Sequence, residues 1–344
     1  MATAALVLAG GGLKCAAQVW WCEELIPALI RKHIDVKVLA GSSGGGINAA
    51  KLAEGETDDE LLQALEDLAS IWLAIDKIGS EVIFPINVLT PVTHAFSSAF
   101  LDGTTLWGLV DGSLFRHRPL DAAKIARSVR ELDIFVRNKI TRKQEIISNR
   151  DQAAQQDPSL LLKAVVASAS RHPFFPQVTI NGVPYGDGEA ISLSKIFQAD
   201  CDFIFILLPY KKNHVETPGD DWFSKHFKIS VEAFITIIMQ IQEAEQKEIE
   251  RAVERANDVK TLEALCREEQ TRYWRSSGKR AVEERFRAAG FTFRGNRAPR
   301  IIPVYLEYQP LKLRTHHSER GDLLRLREPC RVQMRDVLAG LGLY

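Results

Sequence analysis

Long apolar runs are missing from this chain: no uninterrupted apolar stretch in its 344 residues approaches the roughly 20 that a membrane-spanning helix needs. Net charge is missing as well. The 44 Lys and Arg balance the 44 Asp and Glu, so no global field draws the protein to nucleic acid or to an anionic bilayer. Cysteine is sparse: residues 15, 22, 201, 266 and 330 form no CxxC pair and no close Cys/His spacing. That excludes a zinc knuckle and a disulfide scaffold and fits a reducing compartment. The eight histidines include no HExxH, and neither a metal nor a cofactor is expected. The opening MATAALVLAGGG has no basic residue ahead of its short apolar run, so it reads as a buried strand and not as a cleavable secretory signal. A cytoplasmic protein, with peripheral contact to a membrane at most, is the expectation.

What the chain does have is glycine at the ends of short apolar runs. With 46% hydrophobic residues it can build one large α/β domain, alone or with a helical insertion or appendage. Residues 4–9 are apolar and are closed by Gly10, Gly11 and Gly12. A helical spacing of Cys22, Leu25, Ile26 and Leu29 follows, then a second apolar run over 36–40, again closed by glycine. Strand, glycine loop, helix, strand, glycine turn, helix is a βαβ unit of a parallel sheet. Both glycine clusters fall at carboxyl ends of strands, where ligands bind in such sheets.

Further along, helices are expected over 61–73, 121–136 and 159–170, and a hairpin turn at Asn181-Gly182. A central strand is expected over 202–208, stopped by Pro209, then a late strand over 301–308 and a closing helix over 330–338. Residues 78–100 are apolar but broken by two prolines and read as loop or broken helix. Residues 230–287 read as a long helical segment, apolar at first and then densely charged with both signs mixed.

Gly41-Ser42-Ser43-Gly44-Gly45 matches G-x-S-x-G between a strand and a helix. A nucleophile on so tight a turn requires small residues two before and two after it, and Gly41 and Gly45 meet that demand for Ser43. Ser42, flanked in the same sense by Ala40 and Gly44, passes the same test. Gly10-Gly11-Gly12 can turn backbone N–H groups toward a developing oxyanion. A dinucleotide fingerprint would want glycine at Cys15, and a P-loop would want lysine where Ile47 and Asn48 stand. Asp187, in Tyr185-Gly186-Asp187-Gly188, can approach a serine closely and accept its proton, or can simply form an Asx turn.

Taken in order, these residues resemble the patatin-like phospholipase family. The first-strand loop is seen as Gly10-Gly11-Gly12-Leu13-Lys14, the elbow as Gly41 to Gly45, and the D-G motif as Asp187-Gly188. Ala167-Ser168-Ala169-Ser170 followed by Pro173-Phe174-Phe175-Pro176 is similar to the family's small-residue helix end and aromatic-proline loop. The resemblance implies a three-layer α/β/α fold with a mainly parallel central sheet, with a catalytic core over 1–210. A helical charged segment over 211–298 and a late core strand and closing helix over 299–344 would complete it. It also implies a Ser43–Asp187 dyad without a catalytic histidine, oxyanion N–H groups around Gly11 and Gly12, and Lys14 as the loop's basic residue. The substrate implied is a lipid ester. Cys15 stands where glycine is usual, which tightens packing behind the loop, and Glu189 stands where glycine or alanine is usual.

For lipid contact the candidates are residues 78–100, Trp20-Trp21, Phe174-Phe175 and the apolar opening of the 230–287 segment, each of which ordinary core burial explains equally well. Two other classes compete. An α/β-hydrolase-type esterase would complete a Ser-Asp-His triad with His214, His226 or His316; a lipid-binding scaffold would keep the fold without chemistry. The sequence carries no signal for a protein partner or an oligomeric state.

Overall fold

The structure, a computed structural model, describes residues 1–79, 83, 103–171, 175–188, 196, 199–209, 300–308 and 320–344. The expectations for 78–100, for the 230–287 helix, and for His214, His226, His316, Phe174 and Glu189 fall outside these residues, apart from Ile78, Gly79 and Ile83. The chain opens with strand β1 (Ala2–Leu8), a short 3-10 turn (Gly12–Cys15), helix α1 (Ala16–Arg31), β2 (Ile34–Gly41), α2 (Gly44–Leu52) and α3 (Asp58–Ile78). Then come α4 (Thr104–Val110), α5 (Ala122–Arg127), β3 (Glu131–Asn138), β4 (Gln144–Ser148), α6 (Gln152–Gln156) and α7 (Ser159–Ala169). The hairpin β5 (Val178–Ile180) and β6 (Val183–Asp187), strands β7 (Phe203–Leu208) and β8 (Arg300–Tyr305), and helix α8 (Asp322–Gly340) complete the described elements.

One sheet runs β5-β6-β3-β2-β1-β7-β8, with β4 also on β3. β3, β2, β1, β7 and β8 are mutually parallel, and the β4, β6 and β5 pairings are antiparallel. β1 sits at the centre and is buried on both faces, as its unbroken apolar run requires. Its Ala4, Leu6 and Leu8 enter a large core with α1, α2, α3, α7 and α8, while Ala5, Val7 and Ala9 join a smaller cluster with Val38, Phe135 and Ile206 on the other face. The expected hairpin is present: Asn181 and Gly182 both have positive φ, 50° and 80°, the conformation a two-residue turn between twisted strands demands.

The single helix expected over 121–136 is not formed. Asp121 starts α5 by accepting the Lys124 N–H (2.9 Å), but the helix stops at Arg127. The Ser128 hydroxyl accepts the Arg130 N–H at 3.2 Å, and the apolar run Leu132-Asp133-Ile134-Phe135-Val136 becomes β3, held by ladders to β2, β4 and β6. Tertiary pairing outweighs a local pattern that either structure can accommodate.

α8 closes the large core against α1. Trp20 Nε1–H donates to the Leu323 carbonyl (3.1 Å) and Trp21 Nε1–H to Gln333 Oε1 (3.1 Å). The Arg327 guanidinium lies 5.4 Å from the Trp20 ring centroid and binds Glu23 through both carboxylate oxygens at 3.0 and 2.8 Å. Both tryptophans are fully buried, so they are core residues and not a lipid-contact surface. Phe175 is likewise buried. Among the described residues no helix is long and apolar enough to cross a membrane.

Candidate active site

The Gly10–Gly12 loop and the Ser43 elbow both leave the carboxyl edge of the sheet, from the adjacent strands β1 and β2, and they touch. Ser43 precedes α2 with φ 54° and ψ −131°, a left-handed backbone that a non-glycine residue adopts only when its surroundings hold it there. The glycines around it explain how. A Cβ at Gly41 would stand 2.4 Å from the Gly45 carbonyl oxygen, and a Cβ at Gly45 would stand 2.2 Å from that of Leu8. A Cβ at Gly10 would lie 3.2 Å from Ser43 Cβ, and one at Gly44 would lie 2.9 Å from the Gly12 carbonyl oxygen. Ser43 is half-buried, whereas Ser42 is wholly buried and its hydroxyl has no hydrogen-bond partner.

Ser168, at the end of α7, ties the elbow to β3. The Ser43 N–H donates to Ser168 Oγ (2.9 Å), and the Ser168 hydroxyl donates to the Phe135 carbonyl (2.6 Å). Two residues on, the Ser170 carbonyl accepts the Asp187 N–H at 3.1 Å. One helix end therefore holds both the serine and the aspartate.

Strand register brings them together. β4 faces β3 from Asp133 to Arg137, and so occupies one edge of it. β2, paired at Glu131 to Ile134, and β6, paired at Val136 to Asn138, must share the other edge, one beyond the end of the other. Gly41 lies opposite Ile134 and Asp187 opposite Val136. Asp187 thus arrives about 7 Å past the end of β2, where the chain turns into Ser43. Asp187 is buried, and a Cβ at Gly188 would meet the Phe135 carbonyl oxygen at 2.0 Å.

Cys15 stands behind the Gly10–Gly12 loop. Its Sγ lies 3.5 Å from the Ala9 carbonyl, to which it donates, and 3.1 Å from where a Gly44 Cβ would be. Burial pushes the thiol well above its ordinary range, the Asp187 charge adds to this, and the Gly45 and Gly11 N–H groups and Lys14 only partly offset it. The sulfur stays protonated and does not compete as a nucleophile. Lys14 is itself buried, in the 3-10 turn, with its N–H donating to the Gly11 carbonyl (3.1 Å).

A buried amide pair that sequence reading overlooked holds loop and elbow in register. Gln18 Nε2 donates to the Ala9 (2.6 Å) and Leu207 (3.1 Å) carbonyls. Asn48, on the elbow helix α2, donates through Nδ2 to Gln18 Oε1 and to the Cys15 carbonyl, each at 3.0 Å, and accepts the Trp72 Nε1–H at 2.9 Å. The only sequence signal was a polar residue inside each of two otherwise apolar helix faces. Asn48→Leu would leave the Trp72 N–H, the Gln18 oxygen and the Cys15 carbonyl short of partners. It should cost about 3 kcal/mol of stability, from roughly 1 to 3 for each orphaned group with partial relaxation. It should also lower kcat more than it changes KM, which thermal unfolding and steady-state kinetics on the same sample will read.

Among the described residues no group of His, Cys, Asp and Glu is placed to hold a metal ion. Residues 6–194 match the family model described as patatin-like phospholipase. The solved structures similar to this chain include VipD from Legionella pneumophila, at TM-score 0.44 and 13% identity over 98% of this chain and 67% of that one. They also include the type III effector ExoU, at 0.23 and 18% over 48% of this chain and 39% of that one. Full-length ExoU with SpcU, from the Pseudomonas aeruginosa type III secretion system, aligns at 0.27 and 17% over 74% and 52%. The chain thus spans less than two thirds of either ExoU chain. A search of curated proteins gave no match.

Proposed function

This chain belongs to the patatin-like phospholipase family, whose members are lipid acyl hydrolases, and from that premise we propose that it cleaves carboxylic esters of lipids through a Ser43–Asp187 dyad. The reaction is of the phospholipase A or lysophospholipase type. The observation that carries this reading is the shared edge of β3, which sets Asp187 just past the turn into Ser43.

In the first step Ser43 Oγ forms a bond to the ester carbonyl carbon as its proton passes to the Asp187 carboxylate. The carbonyl oxygen becomes an oxyanion, stabilised by N–H groups of the Gly10–Gly12 loop and by the amino end of α2. Collapse breaks the bond to the alcohol, which leaves with the proton from Asp187. Water then gives a proton to Asp187 and attacks the acyl-serine, and the fatty acid departs as Ser43 recovers its proton. Lys14 supports the loop, and Gly41 and Gly45 let the elbow close. No cofactor or metal enters.

The test is covalent. A serine-directed fluorophosphonate should modify the wild-type protein on the peptide that contains Ser43 and leave a folded Ser43→Ala protein unmodified. An adduct at Ser42 or elsewhere, or no adduct on folded wild type, would overturn the assignment.

A further inference from the structure

The turn between β3 and β4 is densely cationic. Residues 137–143 read Arg-Asn-Lys-Ile-Thr-Arg-Lys: four cations and an isoleucine, with no acid. Ile140 is 67% exposed, and Thr141, Arg142 and Lys143 are exposed with it. We propose that this turn docks the protein onto an anionic lipid interface and so sets the membrane at the mouth of the Ser43 site; the proposal rests on the lipid-hydrolase reading above.

Position comes first. β3 runs parallel to β2 and continues four residues past Ile134, the partner of Gly41. The turn therefore stands about 13 Å beyond the end of β2, on the side from which the elbow and the oxyanion loop project. Lys139 borders the Asp187 strand directly: its N–H donates to the Pro184 carbonyl (2.9 Å), and its Cε lies 2.3 Å from where a Gly186 Cβ would be.

Order comes second. Asn138 Oδ1 accepts the N–H groups of Ile140 (2.9 Å) and Thr141 (3.0 Å), the Asn138 N–H donates to the Lys143 carbonyl (3.0 Å), and Arg137 Nε donates to the Arg142 carbonyl (3.1 Å). The turn is a fixed platform, so little entropy is lost when it binds. The nearest acid along the chain, Glu145, is engaged by the Tyr185 hydroxyl (2.7 Å) and by Asn138 Nδ2 (2.8 Å).

A lone exposed isoleucine is ordinary, and lysines often guard a free sheet edge. Here the cations sit on a turn between paired strands, and the isoleucine is at its tip. Apolar tip and cationic flanks match the two layers of an anionic lipid surface, acyl boundary and headgroups. The chain's zero net charge means that such attraction must come from a local patch.

The experiment uses the full-length Ser43→Ala protein, so that vesicles stay intact, and compares phosphatidylcholine vesicles with vesicles that also contain phosphatidylserine. Binding should favour the anionic vesicles and fade as salt shortens the screening length from about 10 Å to about 3 Å. Arg142→Glu/Lys143→Glu should weaken it at least twentyfold, from about fivefold per lost cation, and Ile140→Asp should weaken it as well. With Ser43 restored, these exposed-turn variants should hydrolyse a monomeric short-chain ester at the wild-type rate. Equal binding to both vesicle types, binding indifferent to the charge reversal, or binding to a nucleic acid in place of vesicles would overturn the proposal. If wild type hydrolyses no ester at all, the hydrolase reading fails, whatever the vesicles show.

Discussion

Asp187→Asn is expected to lower kcat for ester hydrolysis about 10⁴-fold, the scale on which loss of a triad's carboxylate is felt, in a protein that remains folded. The carboxamide keeps the carboxylate's shape but cannot take up the Ser43 proton. The main-chain contacts of residue 187, its N–H to the Ser170 carbonyl at 3.1 Å and its place opposite Val136 in the ladder to β3, survive the change. Ser43→Ala should fall further, about 10⁶-fold. The double variant should be no slower than Ser43→Ala, because the two groups share one proton transfer and their losses do not add. Hydrolysis of a monomeric chromogenic ester, with circular-dichroism melting of each variant, reads all three. A folded Asp187→Asn enzyme that keeps most of its rate would remove Asp187 from the mechanism. A separate loss of the same size on replacing His214, His226 or His316 would move the reading toward a triad.

That pairing of residues shows where sequence reading succeeded and where it stopped. The β1 and β2 runs, each ending in glycine, the Asn181-Gly182 hairpin, β7 ahead of Pro209, and the late strand and closing helix were all legible. Each rests on a local pattern: an apolar run, a turn residue that tolerates positive φ, or a proline stop. β3 was not legible, since Asp121 to Val136 satisfies a helical spacing as well as a strand, and only the ladders to β2 and β4 decide between them. Without β3 its shared edge is invisible, and so is the geometric reason that Asp187 falls just past the strand that leads into Ser43. The family resemblance implied a Ser43–Asp187 pairing without offering a geometric reason for it.

The supporting residues were hidden for a related reason. Gln18, Asn48 and Trp72 lie on three helices, and only tertiary packing closes their hydrogen bonds. Trp20 and Trp21 carried the opposite ambiguity: an adjacent aromatic pair suits a membrane surface or a core, and α8, about 300 residues away in sequence, settles it with a carbonyl and a glutamine.

The same alanine substitution at two neighbouring glycines of α2 should have opposite outcomes. At Gly45 the new Cβ would stand 2.2 Å from the Leu8 carbonyl oxygen, 2.7 Å from its carbon and 2.8 Å from the Ala9 oxygen. These backbone atoms cannot give way. The Leu8 carbonyl accepts the Ser42 N–H (3.2 Å), the Ala9 N–H donates to Leu207 (3.2 Å), and the Ala9 carbonyl receives Gln18 Nε2 at 2.6 Å. Gly45→Ala must therefore part α2 from the central strand. It should cost about 3 kcal/mol or more, the upper range for overpacking, together with nearly all activity, because the Ser43 elbow and the Gly10–Gly12 loop are the elements pushed apart. At Gly46 the nearest atom to a new Cβ is Ser168 Oγ at 3.4 Å, an ordinary contact. Alanine there gains up to about 1 kcal/mol of helix propensity, so Gly46→Ala should melt at or above the wild-type temperature with activity retained. Thermal melts and ester turnover of the two variants side by side make the comparison. A Gly45→Ala protein as stable and active as Gly46→Ala would mean that close approach of β1 to the elbow is not what positions the nucleophile.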